Sequence, residues 1–290
     1  MKLTRKQAIK TMAAGAIGTL SLPAFSKSLG NLTVTPVKGN INHSVCQWCY
    51  RDIPLEELAK AAKGMGLSSV ELLGADQWPV VAKYGLTCAM GYATSIGLNK
   101  GFNDPSLHEQ LLKDYSVAIP KAADAGLKNL ICFSGNRNGI TDEAGLENCA
   151  KGLEPVVKLA AKHNITIAME LLNSKVNHKD YQCDHTEWGV KLCEKLGLEN
   201  FKLLYDIYHM QIMEGDVIAT IRTHNKYIAH YHTGGVPGRH EIDESQELYY
   251  PAIMKAIVET GFKGHVAQEF IPAKPDPLAS LNAAVKLCDV

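Results

Sequence analysis

The stretch LYDIYHMQ, residues 204–211, sets an acid, Asp206, between aromatic, strand-like flanks, with His209 three positions later. A charge at a buried strand end is unfavourable unless something neutralises it. Other apolar runs end in the same way. Glu170 follows the apolar part of ITIAMELLN, Glu269 closes HVAQEF, and YIAHYHTGG carries His230 and His232 on one face by the two-residue strand period. A single buried acid is met by a Lys or Arg. Three acids converging with a histidine repel one another strongly unless a cation sits among them. Glu170, Asp206, Glu269 and a histidine of the His230/His232 pair therefore read as ligands of one divalent metal. Three carboxylates and one imidazole suit Mn²⁺, Mg²⁺ or Co²⁺, with Zn²⁺ also compatible, and need no thiolate.

Such residues converge only if the strands carrying them are parallel neighbours. Apolar bursts alternate with helical stretches along the chain: HSVCQWCY, SSVELLG, LTCAMGY, LKNLICFSG, ITIAMELLN, FKLLYDIYH, KYIAHYHTGG and HVAQEFIP. Between them lie helical patterns such as PLEELAKAAKGMG, with Leu55, Leu58, Ala59 and Ala62 on one face, and expected helices near 105–126, 141–164, 215–224 and 276–288. Gly66, Gly126, Gly197 and Gly261 each precede a strand-like run, where a helix C-terminus needs a left-handed residue. Eight alternating units in one chain predict an α/β fold, a single-domain (β/α)8 TIM barrel, whose strand ends carry the chemistry. An open doubly wound sheet is the weaker reading, since no G-x-G-x-x-G follows a strand.

Composition narrows the partner. Thirty basic and thirty acidic residues cancel in a chain of 290, so no global field favours nucleic acid or an anionic membrane. The eight cysteines are spread too thinly for a disulfide scaffold. Cys46 and Cys49 have no second C-x-x-C to complete a zinc site, so the cysteines read as buried small apolar residues. The first 26 residues run from a basic head through an Ala/Gly-rich apolar stretch to a small-residue site, the layout of an export signal. Their order resembles a twin-arginine signal, with Lys6 in place of the second arginine. The expected organisation is a signal over 1–26, a linker over 27–40, a barrel over 41–290, and a periplasmic or otherwise exported location.

AMELLNSKVNH, LLYDIYHMQIMEGD, HTGGVPGRHE and VAQEFIP resemble the hydroxypyruvate isomerase family, within the wider xylose isomerase-like barrels that include ketose 3-epimerases. The similarity runs from about residue 43 to the C-terminus. It implies one divalent metal on Glu170, Asp206, His232 and Glu269, with Glu170 and Glu269 also serving as base and acid. It further implies that His209 holds a substrate oxygen and that Arg239, in PGRHE, binds a substrate carboxylate or hydroxyl. The implied reaction interconverts hydroxypyruvate and 2-hydroxy-3-oxopropanoate through an enediolate. Hydroxypyruvate isomerases tend to carry Gln at the third ligand position, whereas epimerases carry His. His232 therefore keeps a ketose 3-epimerase or free-sugar isomerase as the alternative, and a non-catalytic carbohydrate-binding barrel as a third reading. A barrel endonuclease would want more metal ligands and a basic surface. The expected partner is a small hydroxy-carbonyl or sugar molecule, with no nucleic acid, no stable membrane association after signal cleavage, and self-association allowed. Glu71 in VELL is a candidate contact for substrate or His209, with an ion pair as its structural alternative. Trp48 and Trp78 are candidates for an apolar wall, His240 and Glu241 for the mouth, and residues 177–185 for a lid.

Overall fold

Seven parallel strands make one curled sheet in the computed structural model, which describes residues 36–290. They are β1 (Asn42–Cys46), β2 (Ser69–Glu71), β3 (Asn129–Cys132), β4 (Thr166–Glu170), β5 (Phe201–Asp206), β6 (Ile228–Thr233) and β7 (His265–Gln268), ordered β2-β1-β7-β6-β5-β4-β3. The expected third run, LTCAMGY, is not a ladder strand. Thr87 and Gly91 make only isolated parallel bridges, to Ser69, Leu73 and Leu130, across the gap between β2 and β3. The reason is local. The Ala89 N–H donates to Ser69 Oγ at 2.8 Å and its carbonyl accepts from Asn129 Nδ2 at 2.9 Å, so side chains take backbone groups that a ladder would use. The eight-stranded expectation is thus corrected to a TIM-barrel-like sheet of seven ladder strands.

The helices are α1 (Leu55–Gly64), α2 (Trp78–Ala82), α3 (His108–Asp124), α4 (Asp142–Lys162), α5 (Thr186–Leu196), α6 (Ile207–Met213), α7 (Val217–His224), α8 (Tyr250–Glu259) and α9 (Pro277–Cys288). Side-chain caps fix several starts: Thr141 Oγ1 accepts from Ala144 N, and Asp276 from Ala279 N. Gly66, Gly126, Gly197 and Gly261 all take positive φ, as their positions after helices required. Trp78 lies on α2, buried. It donates to the Leu73 carbonyl and packs on Gly91, where a Cβ would come within 3.1 Å of its ring. Its neighbours there are core, so it is not a pocket wall.

Strand alternation explains where the site sits. Cys46, Leu72, Met90, Ile131, Ala168, Leu204 and Ala267 form one buried apolar cluster, drawn from β1, the end of β2, the third run, β3, β4, β5 and β7. The remaining strand, β6, pairs His230 with Leu204 at this level. Two residues further along four of these strands, on the same face, come Glu170, Asp206, His232 and Glu269. The acids therefore form the next layer above this mostly apolar level, at the carboxyl ends of the strands.

The expected export signal, 1–26, lies outside the described residues, as does most of the linker. Residues 36–40 have no regular structure, and Lys38 N and Asn40 Nδ2 bond to Asp289 and Val290. Among the described residues no helix is long and apolar enough to cross a membrane.

Candidate metal centre and active site

Glu170, Asp206, His232 and Glu269 each offer a ligand atom within 4.8 Å of the others, and all four are buried. Register sets this arrangement, because Asp206 pairs with His232 across β5 and β6, and His232 with Ala267 on β7. His232 Nδ1 lies 2.8 Å from Glu269 Oε2 and 3.3 Å from Glu170 Oε1. Both His232 Nδ1 and Glu170 Oε1 are buried without a hydrogen-bond partner. These two orphaned atoms, together with the converging carboxylates of Asp206 and Glu269, fit a divalent cation, which these four residues would hold.

The charges are poised unequally. Burial pushes the Asp206 carboxyl well above the ordinary range, with Arg239 opposing and Glu269 adding to the rise. Burial likewise raises Glu170. For Glu269 burial pulls upward too, yet His232 and Arg239 outweigh it and hold the carboxyl well below the usual value. Burial disfavours the His232 imidazolium, but Cys46, Glu269 and Glu170 around it keep its pKa well above that of an ordinary histidine.

Arg239 reaches into the cluster. Its Nη2 lies 2.7 Å from Glu269 Oε2 and 3.3 Å from Asp206 Oδ2. The guanidinium sits over the rings of Trp48 and Tyr208, 5.1 and 5.3 Å from their centroids. Its backbone takes φ 61, a left-handed conformation unusual for a non-glycine residue, and its carbonyl accepts from Ile271 N at 2.7 Å. Those bonds tie the loop after β6 to the one after β7. Trp48 does more than form a wall, because its Nε1 donates to Glu269 Oε1 at 2.7 Å.

His209 is in α6, not on a strand extension. Asp206 caps that helix by accepting from His209 N at 3.1 Å. The imidazole is fully buried, 5.0 Å from the Tyr208 ring and 5.1 Å from His178. Burial, with Arg239 and His178 adding, pushes its pKa well below the usual value. Its Nε2 has no hydrogen-bond partner and lies 3.6 Å from Asp206 Oδ2.

Glu71 takes the ion-pair alternative. It does not meet His209. It lies fully buried beneath the cluster, with Oε1 2.7 Å from His230 Nε2 and 2.9 Å from His232 Nε2, while Oε2 accepts from Ser44 Oγ at 2.6 Å. Burial opposes its charge, but the two histidines hold its carboxyl well below the ordinary range. A carboxylate behind a ligating imidazole fixes ring orientation. Glu241 is corrected as well: it accepts from Ala273 N, Lys274 N and Ser280 Oγ and so anchors the loop after β7, while His240 bonds the Ile271 carbonyl. In the expected lid, Tyr181, Gln182, Cys183 and Asp184 are buried, and Arg137 pairs with Asp184 at 2.9 Å. The stretch 175–180 stays largely exposed, as does His185. All eight cysteines are free, and seven are buried. A cavity of about 420 Å³ opens between residues 241–251 and α9, and none of the four cluster residues lines it.

Two residues were missed in sequence, Tyr208, which looks like a core aromatic, and Asn173, which looks like a turn residue; for Trp48 only the hydrogen bond to Glu269 was unforeseen. The readable signal for Asn173 was an amide placed just beyond Glu170 on the same strand end.

A parallel barrel with a buried divalent-metal cluster at its strand ends is the frame of a metal-assisted barrel enzyme. Residues 59–286 match the family described as Xylose isomerase-like TIM barrel, and the chain belongs to it. A human protein named putative hydroxypyruvate isomerase is 27% identical over 239 residues, covering 78% of this chain and 77% of its own length. D-psicose 3-epimerase of Ruminiclostridium cellulolyticum is 24% identical over 230 residues, 76% of this chain and 69% of its own. Among solved structures, AP endonuclease, family 2 from Brucella melitensis superposes with a TM-score of 0.75 at 25% identity, covering 83% of this chain and 97% of that one. The chain is an isomerase-type enzyme of this superfamily.

Proposed function

We propose that the chain is a hydroxypyruvate-type isomerase, interconverting hydroxypyruvate and 2-hydroxy-3-oxopropanoate by proton transfer between two glutamates. The observation that carries this reading is the pair Glu170 and Glu269, which flank one imidazole and have opposite pKa displacements. Two carboxyls driven apart in this way divide into an acid and a base. Glu269, kept ionised by His232 and Arg239, takes a proton from the hydroxymethyl carbon and leaves an enediolate. Glu170, whose carboxyl burial raises, delivers a proton to the neighbouring carbon. The hydroxyl proton passes from the first oxygen to the second, leaving an aldehyde where the alcohol had been. Arg239 presents a fork suited to the substrate carboxylate, and His209 Nε2 reaches a substrate oxygen. A divalent ion on the four ligands supplies Lewis-acid polarisation and offsets the acids' charge. The resemblance to a protein named as a hydroxypyruvate isomerase supports the same reading.

A second reading rests on His232 as the third ligand and on the similarity to a D-psicose 3-epimerase: epimerisation of a ketose by the same two glutamates. Incubation in D₂O with hydroxypyruvate, tetroses, pentoses and ketohexoses separates the two. Deuterium at carbon 3 of hydroxypyruvate and at carbon 2 of its product is expected. Exchange confined to carbon 3 of a ketose would replace the isomerase reading with the epimerase one. The export signal, outside the described residues, is part of the same proposal, and fractionation of the producing cell tests it.

A further inference from the structure

Asn173 lies fully buried just past the end of β4, and each of its hydrogen-bonding valences has a partner. Its Oδ1 accepts from Val176 N at 3.0 Å and Asn177 N at 2.9 Å. Backbone N–H groups only donate, so these two contacts fix which end of the amide is oxygen. A flipped amide would set its NH₂ group against two donors. Nδ2 therefore faces the other way. It donates to Asn177 Oδ1 at 2.9 Å, an atom that Tyr208 Oη also reaches at 2.8 Å, and it lies 2.6 Å from His209 Nδ1. A donor facing Nδ1 requires a lone pair there, which puts the only imidazole proton on Nε2. Nε2 is the buried atom of His209 without a partner. Its 3.6 Å separation from Asp206 Oδ2 is too long for a hydrogen bond.

We propose that Asn173 is a positioning residue that locks His209 in the neutral Nε2–H tautomer, making it an obligate hydrogen-bond donor to a substrate oxygen that gains negative charge. This rests on the isomerase reading only for the identity of that oxygen. The chain of orientation runs from the 173–177 turn through one amide to one imidazole. A neutral donor of this kind stabilises an oxyanion without presenting it a transferable second proton.

The test uses metal-free protein labelled with [15N]histidine, with His209 assigned by comparison with His209→Gln. An unprotonated-type Nδ1 and a protonated-type Nε2 are expected at neutral pH. Asn173→Asp keeps the acceptor for the turn and replaces the donor to His209 with an acceptor. The proton should move to Nδ1, with kcat falling by about 10²-fold and metal affinity unchanged by titration calorimetry. A wild-type His209 protonated at Nδ1, or an Asn173→Asp protein that still carries Nε2–H alone, overturns the proposal. The wild-type spectrum decides even if that variant does not fold. It also needs no substrate, so a correct tautomer in a protein inert toward hydroxypyruvate would refute only the reaction.

Discussion

Replacing Asp206 with Asn should separate what the acid cluster does for the fold from what it does for the metal. Asp206 is fully buried, and burial pushes its carboxyl well above the ordinary range. A carboxyl whose folded pKa is raised destabilises the fold at pH values above that pKa, and the penalty fades as pH falls toward the unfolded value. Asn removes the charge yet still caps α6, because its side-chain oxygen can accept from His209 N as Asp206 does at 3.1 Å. Arg239 keeps Glu269 as a partner at 2.7 Å. With chelator present, the variant should therefore melt at or above the wild-type temperature. With metal at about 100 times its Kd, the wild type gains about 2.7 kcal/mol. At about 2–4 °C per kcal/mol for a domain of this size, that is roughly 5–11 °C. A variant binding about 100-fold more weakly gains only about 0.4 kcal/mol, or roughly 1–2 °C. Scanning calorimetry with chelator and then with Mn²⁺ reads both effects. A variant that keeps the full metal shift, or melts several degrees below the chelated wild type, refutes the reasoning.

Glu170→Gln and Glu269→Gln should each lower kcat by about 10²–10⁴-fold while circular dichroism shows an intact fold; turnover surviving in either removes that residue from proton transfer. Glu71→Gln should weaken metal binding by about 10–100-fold through the altered support of His232, and an unchanged affinity by calorimetry would show that His232 needs no carboxylate behind it. Burial raises the Asp184 carboxyl, but Arg137, Ser174 and His185 outweigh it and lower its pKa. Its stabilising effect is therefore complete above the ordinary aspartate value of about 3.9 and is lost as pH falls through the folded value. Limited proteolysis should accordingly cut within 175–180 faster in acid, and Asp184→Asn should show that sensitivity at neutral pH; equal cutting rates at both pH values would dismiss the clamp.

The four cluster residues were legible because each is a charge or imidazole ending an apolar strand, and alternation then forces them onto one layer. The barrel itself followed from the alternation of apolar runs with helical spacing. What escaped was anything decided by partners far away in sequence. Glu71 reads equally as a substrate contact or as an ion-pair partner, and the choice falls to the pairing of β2 with β1, which brings Ser44 and the β6 histidines to it. LTCAMGY reads as a strand because nothing local announces that Ser69 and Asn129 will take its hydrogen bonds. Trp48 reads as an apolar wall and Asn173 as a turn residue until Glu269 and His209 stand beside them.

The seam between β2 and β3 has a mechanical consequence. Six strand ladders run from β2 through β1, β7, β6, β5 and β4 to β3, with one register shift at Leu203/Leu204, while isolated bridges with their backbone hydrogen bonds and two side-chain bonds close the remaining arc. If the ring breathes, it should part at this clasp, where the amides of residues 87–91 would exchange with solvent before those of β5 or β6. Glu170, Asp206, His232 and Glu269 all stand on the opposite, continuous arc. The molecule can thus loosen at its fastening without disturbing the spacing of the groups that do its chemistry.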